Sequence, residues 1–376
     1  MTVYVKQELT DLGYPIIEES HAGVFTEGTI ADTMRMNLYM RTASRVLYLL
    51  KECSASTPED LYYHTSKIPW ESIVPHKNGY VSVISSIDTP SIDNTQYANV
   101  KCKDAIVDRI RSKTGNRPDS GSETDYSVVF LYWKDTDCYI YLDTSGTPLS
   151  RRGYRMMPHA APMRETLAAA TVLATRWDKK SAFVNPMCGS GTLIIEAALI
   201  GTNRAPGLLR NNFGFMHIQN YDIQLWQSMK EAAQKEIIPF NGRLIASDRD
   251  AKAVQATREN AKRAGVGNLI SVSRCDFKET EIPYDNGVIM LNPEYGERLG
   301  DTENLQSVYR EIGNFFKQRC SGYYGYIFTG NLDLAKNIGL KTKRRIEFYN
   351  ADIDCRLLEF ELYDGKKTYP NADTAN

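Results

Sequence analysis

Four short apolar runs in the second half of the chain, "SAFVNP", "GRLIASD", "LISVSRCD" and "NGVIMLNP", each end in a polar residue. Helical patterns such as "DAKAVQATRENAKRAG" lie between them. Strands that are apolar throughout are buried on both faces, and their alternation with helices predicts βαβ units around a parallel sheet. In an open α/β sheet, ligands bind just outside the carboxyl ends of the strands. Those ends here carry Asn185, Asp248, Asp276 and Asn292. Any one of them could be a satisfied turn residue, the commoner fate of such a side chain. All four together predict one shared crevice.

The first of these strands runs into "NPMCGSGTLIIEAALI", where Gly189 and Gly191 precede a helix opening at Thr192. Glycines let a backbone approach a ligand closely, and a helix N-terminus offers free N–H groups. A tight strand-to-helix turn with no ligand remains open at this point. A dinucleotide fold would place an acid about 20 residues further on. The next strand-terminal acid is Asp248, much more distant, so the intervening "TNRAPGLLRNNFGFMHIQNYDIQLWQSMKEAAQ" is read as an insertion. This weakens a nicotinamide reading and leaves another adenosine cofactor open.

The first half reads as a small α+β domain. "HAGVFTEG" is a short strand, and "TIADTMRMNLYMRTASRVLYLLKEC" has helical periodicity, with Leu38, Ser44, Val46 and Leu49 among its inward candidates. "GYVSVISSI" is a strand, and "TQYANVKCKDAIVDRIRSKTG" a helix ended by Gly115. "YSVVFLYWKDTDCYIYLDTSG" is a hairpin turning at Lys134-Asp135-Thr136-Asp137. "TGNRPDSGSETD" is a polar loop. At the other end of the chain, "GYYGYIFTG" is a strand, and "KRRIEFYN" with "CRLLEFELY" a final hairpin.

A formal net charge of −1 over 376 residues excludes a globally basic nucleic-acid binder, so any such contact needs local patches. The seven cysteines are scattered without a CxxC pair, which predicts reduced thiols and neither disulfides nor zinc. No run approaches the roughly 20 apolar residues of a membrane helix. "MTVYVKQELTDLGYP" lacks a signal-peptide pattern. The expectation is a soluble cytoplasmic protein with no metal site and no membrane partner.

These motifs together resemble a known family. "NPMCGSGT" is similar to the first cofactor motif of class I S-adenosylmethionine-dependent methyltransferases, and "NPEYGER" to their Asn-Pro-Pro-Tyr amino-methylating motif. "RGYR", "APMRETLAAA", "GTNRAPGLLR", "SDRDAKAV" and "ENAKRAGV" fit the THUMP-domain guanine-N2 methyltransferases of large-subunit rRNA, which have tRNA-modifying relatives. The resemblance runs from about residue 20 to near 365 and is strongest over 151–300. It implies an N-terminal ferredoxin-like segment (1–36), a THUMP RNA-binding domain (37–149) and a Rossmann-like α/β catalytic domain (150–376). The last of these has a reversed final strand in the family. The family's opening strand, before the first helix, is not recognisable here.

Carried over by position, Gly189, Ser190 and Gly191 would approach the methionine part of S-adenosylmethionine. Asp248 would hold its ribose, and Asp276 its adenine amino group with Phe277 beside the ring. Arg164, Glu165 and Thr166 would cover the methionine carboxylate end, while Asn185 opens the motif. Asn292 and Pro293 would hold the target amine and Tyr295 would stack on the target base. For RNA, the candidates are Lys101, Lys103, Arg109, Arg111 and Lys113 on one helix and Arg151, Arg152 and Arg155 at the domain junction. A solvated helix face and an interdomain salt bridge are the competing readings of these two groups.

The chemistry explains the residue types. The exocyclic amine of guanine is a poor nucleophile, because its lone pair is delocalised into the ring. Two acceptors on its N–H groups draw the nitrogen towards tetrahedral geometry, which is electrostatic positioning rather than base catalysis. Two positions depart from the family: Asn185 stands for the usual Asp, and Glu294 for a second proline. The first removes a negative charge near a cationic cofactor, and the second removes rigidity but neither acceptor. RNA guanine-N2 methylation is the leading expectation, with rRNA ahead of tRNA. An adenine-N6 methyltransferase and a catalytically idle RNA-binding assembly factor are the alternatives, and a nicotinamide dehydrogenase is a distant one.

Overall fold

The computed structural model describes residues 1–20, 22–75, 77–156, 163–284, 286–296, 302–350 and 352–363. They form two compact units, one of residues 2–152 with 205–237 and the other of residues 153–204 with 238–376.

The first unit runs α1 (Thr2–Asp11), β1 (Glu18–Glu19), β2 (Val24–Phe25), α2 (Ile30–Tyr39), β3 (Leu47–Ser54), α3 (Pro58–Ser66), β4 (Tyr80–Asp88), α4 (Thr95–Thr114), β5 (Asp119–Gly121), β6 (Ser127–Lys134) and β7 (Asp137–Asp143). Its main sheet has the order β3-β7-β6-β4-β5. Local chemistry sets the helix limits. Thr29 with Asp32, and Thr57 with Asp60, make reciprocal capping boxes on α2 and α3. Gly115, at φ +74, ends α4 where a left-handed residue is needed. Trp70, Trp133, Ile106 and Ile140 are among the side chains that fill the core between sheet and helices.

One expected element is corrected. "TIADTMRMNLYMRTASRVLYLLKEC" is not a single helix: α2 stops at Tyr39, and Leu47–Ser54 is an edge strand paired with β7. The Glu8 carboxylate accepts the backbone N–H groups of Arg41 and Thr42, at 2.7 and 2.9 Å, and turns the chain there. Leu38 and Val46 are buried as expected, but Ser44 and Leu49 face solvent. Helical period over the segment is overridden by a distant partner strand. The polar loop also differs, since it contributes the three-residue strand β5, parallel to β4.

The long insertion packs in this first unit. It contains α7 (Ile223–Lys235), and its Phe213, Phe215 and Trp226 join Leu9, Met34 and Leu38 in one core cluster. The Trp226 ring meets Phe213 and Phe215 edge-on at 5.4 and 4.9 Å between centroids. Asp143, at the end of β7, accepts from the Ser145 and Gly146 backbones and pairs with Arg45. Burial pushes its carboxyl up to about 6, against the pull of Arg45 and those amides.

The second unit contains α5 (Glu165–Leu173), β8 (Ala182–Pro186), α6 (Thr192–Gly201), β9 (Leu244–Asp248), α8 (Ala251–Arg263), β10 (Ile270–Arg274), β11 (Gly287–Leu291), α9 (Thr302–Arg319), β12 (Tyr323–Thr329), α10 (Leu332–Lys336), β13 (Arg344–Asn350) and β14 (Ile353–Glu361). The sheet order is β10-β9-β8-β11-β12-β14-β13. The strands from β10 to β12 are parallel, whereas β14 runs antiparallel to both its neighbours. The chain leaves β8 towards β9 and β10 on one side and returns to β11 and β12 on the other. The topological switch therefore lies between β8 and β11, where α/β sheets open a crevice. The expected strands and final hairpin are all present.

Candidate active site

The glycine loop after β8 is held from three directions. The Asp248 Oδ2 accepts the Gly189 N–H at 3.0 Å, the Thr257 hydroxyl donates to the Gly189 carbonyl at 2.9 Å, and the Asn260 amide donates to the Ser190 carbonyl at 3.0 Å. Both glycines take a left-handed backbone, with φ +56 at Gly189 and +84 at Gly191. At Gly191 packing adds a second constraint, because a Cβ there would stand 2.8 Å from Thr257 Cγ2 on α8. A Cβ on Gly189 would meet nothing within 4 Å, so that residue keeps its backbone on an open side.

Four polar groups stand along four adjacent strand ends. Asp248 closes β9, and its Oδ1 accepts the Asp250 N–H at 3.0 Å. Asp276 follows β10 and caps a short 3-10 turn by accepting the Lys278 N–H at 3.0 Å. Phe277, which the resemblance sets beside the adenine ring, is buried in the core and edge-on to Phe315 at 5.7 Å.

Asn185 is 1% exposed and donates from Nδ2 to the Met290 carbonyl on β11 at 2.8 Å. Its Oδ1 is buried with no hydrogen-bond partner. Just beyond β11, Asn292 likewise carries a buried Oδ1 with no hydrogen-bond partner. Pro293 beside it is buried, Glu294 is exposed and Tyr295 is half-buried. Buried acceptors are nearly always paired, so two orphan amide oxygens at one switch point need a reason. Glu297 and Arg298 of "NPEYGER" lie outside the described residues, as does His159.

Ser190 and Thr166 are buried, the latter in the first turn of α5. Arg164 precedes that helix and is exposed. Glu165 is buried and pairs with Arg155 at 3.3 Å.

The basic candidates divide sharply. Arg152 is corrected: it is 1% exposed and its guanidinium donates to the Leu149 and Arg41 carbonyls, so it binds backbone rather than phosphate. The Arg155 guanidinium is engaged within the protein, bonding the Met163 carbonyl at 2.7 Å and the hydroxyl of Thr192, the first residue of α6, at 3.0 Å. Arg109 makes a two-pronged pair with Glu71 at 2.8 and 3.1 Å. Lys101 pairs with Glu59 at 3.3 Å and lies over the Tyr97 ring, while Lys103 pairs with Asp104 at 3.2 Å. Arg111, with an exposed pairing to Asp108, and the exposed Lys113 and Arg151 are the cations most open to solvent.

Sequence reasoning assigns no role to several residues here. Thr257 and Asn260 hold the glycine loop from α8, and of the two only Asn260 falls within the family-like motif "ENAKRAGV". Gly330, Asn331 and Asn350 surround Tyr295 from other elements, and no local pattern marks them.

The chain matches known proteins. Residues 152–359 match a family described as the RMKL-like methyltransferase domain, residues 3–47 the RlmL ferredoxin-like domain and residues 55–143 the THUMP domain. The chain belongs to the RMKL-like methyltransferase family. This is a family of S-adenosylmethionine-dependent methyltransferases. A ribosomal RNA large subunit methyltransferase K/L of Syntrophotalea carbinolica is 36% identical over 369 residues, covering 94% of this chain and 51% of that protein. A putative RNA methyltransferase of Synechocystis, slr0064, is 34% identical and covers 95% of this chain and 93% of that protein. The chain spans about half the length of the K/L relatives it matches. Among solved structures, the putative methyltransferase SMU.472 complexed with SAH aligns at a TM-score of 0.86 and 27% identity, covering 98% of this chain and 96% of that one. The ferredoxin-like, THUMP and class I methyltransferase architecture expected from the motifs is therefore the fold of this family member. Among the described residues, no group of His, Cys, Asp or Glu could hold a metal ion, and no helix is long and apolar enough to cross a membrane.

Proposed function

We propose that this chain transfers a methyl group from S-adenosylmethionine to the exocyclic N2 amine of a guanine in RNA, with large-subunit rRNA as the substrate. The orphan Oδ1 of Asn292 carries this reading. It is a buried acceptor beside Pro293, one strand away from the glycine loop, and an N–H donor from outside the chain would complete it.

The residues present suit the cofactor. The open side of Gly189, the buried Ser190 and Thr166, and the carboxylates of Asp248 and Asp276 offer backbone and acid groups for an amino acid, a ribose and an adenine amine. When bound, S-adenosylmethionine supplies an electrophilic methyl group on a sulfonium. Asn292 Oδ1 and the Pro293 carbonyl each accept one N–H of the target amine, which localises its lone pair and orients it. Pro293 fixes the backbone at this point and contributes no competing N–H. Tyr295 offers a ring face to a base taken out of its stack. The THUMP match, with Arg111, Lys113 and Arg151 open to solvent, favours RNA over DNA. The seven free thiols suit the cytoplasm.

The test is mass spectrometry of rRNA and tRNA nucleosides from a strain lacking the gene. One missing N2-methylguanosine in large-subunit rRNA is expected. A full complement there, with a loss in tRNA or of N6-methyladenosine, would replace large-subunit rRNA guanine as the substrate.

A further inference from the structure

Tyr295 is fixed by groups distant from it in sequence. Asn350, the last residue of β13, donates from Nδ2 to the Tyr295 hydroxyl at 3.2 Å. Asn331 caps α10 with its Oδ1, which accepts the Asp333 and Leu334 N–H groups and so turns its Nδ2 outward. That Nδ2 donates to the Tyr295 carbonyl at 3.4 Å. Gly330 lies along one edge of the ring. A Cβ there would stand 3.1 Å from Tyr295 Cε2, 3.2 Å from Cδ2 and 2.8 Å from Ile353 Cγ2. The backbone is thus held from the β12–α10 turn and the hydroxyl from the β13–β14 hairpin, where Cys355 also faces it, while the missing Cβ of Gly330 leaves room for the ring edge.

An aromatic χ2 torsion is soft, so a tyrosine in a loop does not fix its own ring plane. A hydrogen bond at the far end of the ring, with one edge packed into the space that a side chain at residue 330 would fill, favours one plane. Asn350 is a firm anchor because it sits in the hairpin register opposite Ile353. A base resting on the ring inherits its tilt, and a reacting atom displaced by about 1 Å can lose roughly a hundredfold in rate.

We propose that Asn350 is a positioning residue for methyl transfer, acting through the Tyr295 hydroxyl to set the plane against which the target base rests. This role rests on the functional reading above. The competing account is that Asn350 only closes the hairpin.

The test compares the full chain with Tyr295→Phe, Asn350→Ala and the double variant, for melting temperature, S-adenosylhomocysteine affinity, and kcat and KM on RNA. Asn350→Ala is expected to lower kcat about five- to tenfold, the usual effect of one neutral hydrogen bond, with cofactor affinity unchanged. In the Tyr295→Phe background it should cost less than twofold. Asn350→Asp keeps the link by accepting the hydroxyl proton and should retain most of the rate. Equal losses in both backgrounds, or a wild-type kcat in Asn350→Ala, would overturn the proposal. Coupling seen in melting temperature but absent from kcat would overturn the positioning role and leave the functional reading standing. No methyl transfer by the unmodified chain, with the melting-temperature coupling intact, would overturn the functional reading and the role that depends on it.

Discussion

Replacing Asn292 by alanine is expected to move stability and chemistry in opposite directions. Its buried Oδ1 has no hydrogen-bond partner, so the folded chain carries the desolvation penalty of an unmade bond, about 1–3 kcal/mol. The residue is only partly buried, and truncation leaves a shallow void that takes back part of the gain. The catalytic unit should therefore be as stable as before, or more stable by up to about 2 kcal/mol. For a domain of this size each kcal/mol moves the melting temperature by roughly 2–4 °C. Methyl transfer should fall by about 10²–10³, the range for losing one preorganised hydrogen-bonding group at a reacting centre. Calorimetric melting gives the first quantity and single-turnover transfer of labelled methyl to RNA the second, with S-adenosylhomocysteine titration confirming an intact cofactor site. A melting temperature several degrees lower, with a rate within tenfold of wild type, would refute the reasoning. It would mean that the oxygen serves the fold and that no more than about 1.4 kcal/mol of barrier passes through it.

Asp248→Ala should weaken S-adenosylhomocysteine binding by more than tenfold in titration calorimetry, and lower the cofactor-free melting temperature too, because the carboxylate already holds the Gly189 and Asp250 N–H groups. A lowered affinity without any change in melting would mean that it meets only the ligand. Reversing Arg111, Lys113 and Arg151 together should lower RNA affinity and flatten its salt dependence while the cofactor titration stays the same. Unmoved filter-binding curves would place the RNA surface elsewhere.

What was legible in the sequence is what is local or periodic. The central strands β8, β9 and β11 declare themselves because burial on both faces forces uninterrupted apolar runs, and their polar ends then mark the crevice. The final hairpin and the Gly115 stop follow from turn and cap chemistry. The misreadings share a cause, which is a partner far along the chain. Leu47–Ser54 became a strand because β7 lies beside it, and Glu8 had already turned the chain at Arg41. Arg152 looked like a phosphate ligand because a basic run does not reveal that a guanidinium is buried against carbonyls. Asn350 reaches Tyr295 across 55 positions of sequence, and no spacing rule could pair them.

Asn185 is where the family departure acquires a physical meaning. Its amide spans the switch point, donating from β8 to the Met290 carbonyl on β11, two residues before Asn292. It thus ties the strand that carries the glycine loop to the strand that leads into Asn292. An aspartate at this buried position would set a carboxylate oxygen against that carbonyl. It would have to take up a proton or lose the contact, because an unpaired buried charge costs several kcal/mol. Asn185→Asp should therefore have a carboxyl whose folded pKa lies above its unfolded value of about 3.9. The sign follows from proton binding. Below the unfolded pKa both states are protonated and the variant should melt close to wild type. As pH rises from about 4, the folded state alone keeps its proton, and stability relative to wild type falls until the folded carboxyl also ionises. Melting curves of both proteins from pH 4 to pH 8 measure this difference directly. If the variant tracks wild type at every pH, the amide adds nothing to the backbone pairing of β8 with β11, and asparagine at this position is merely tolerated.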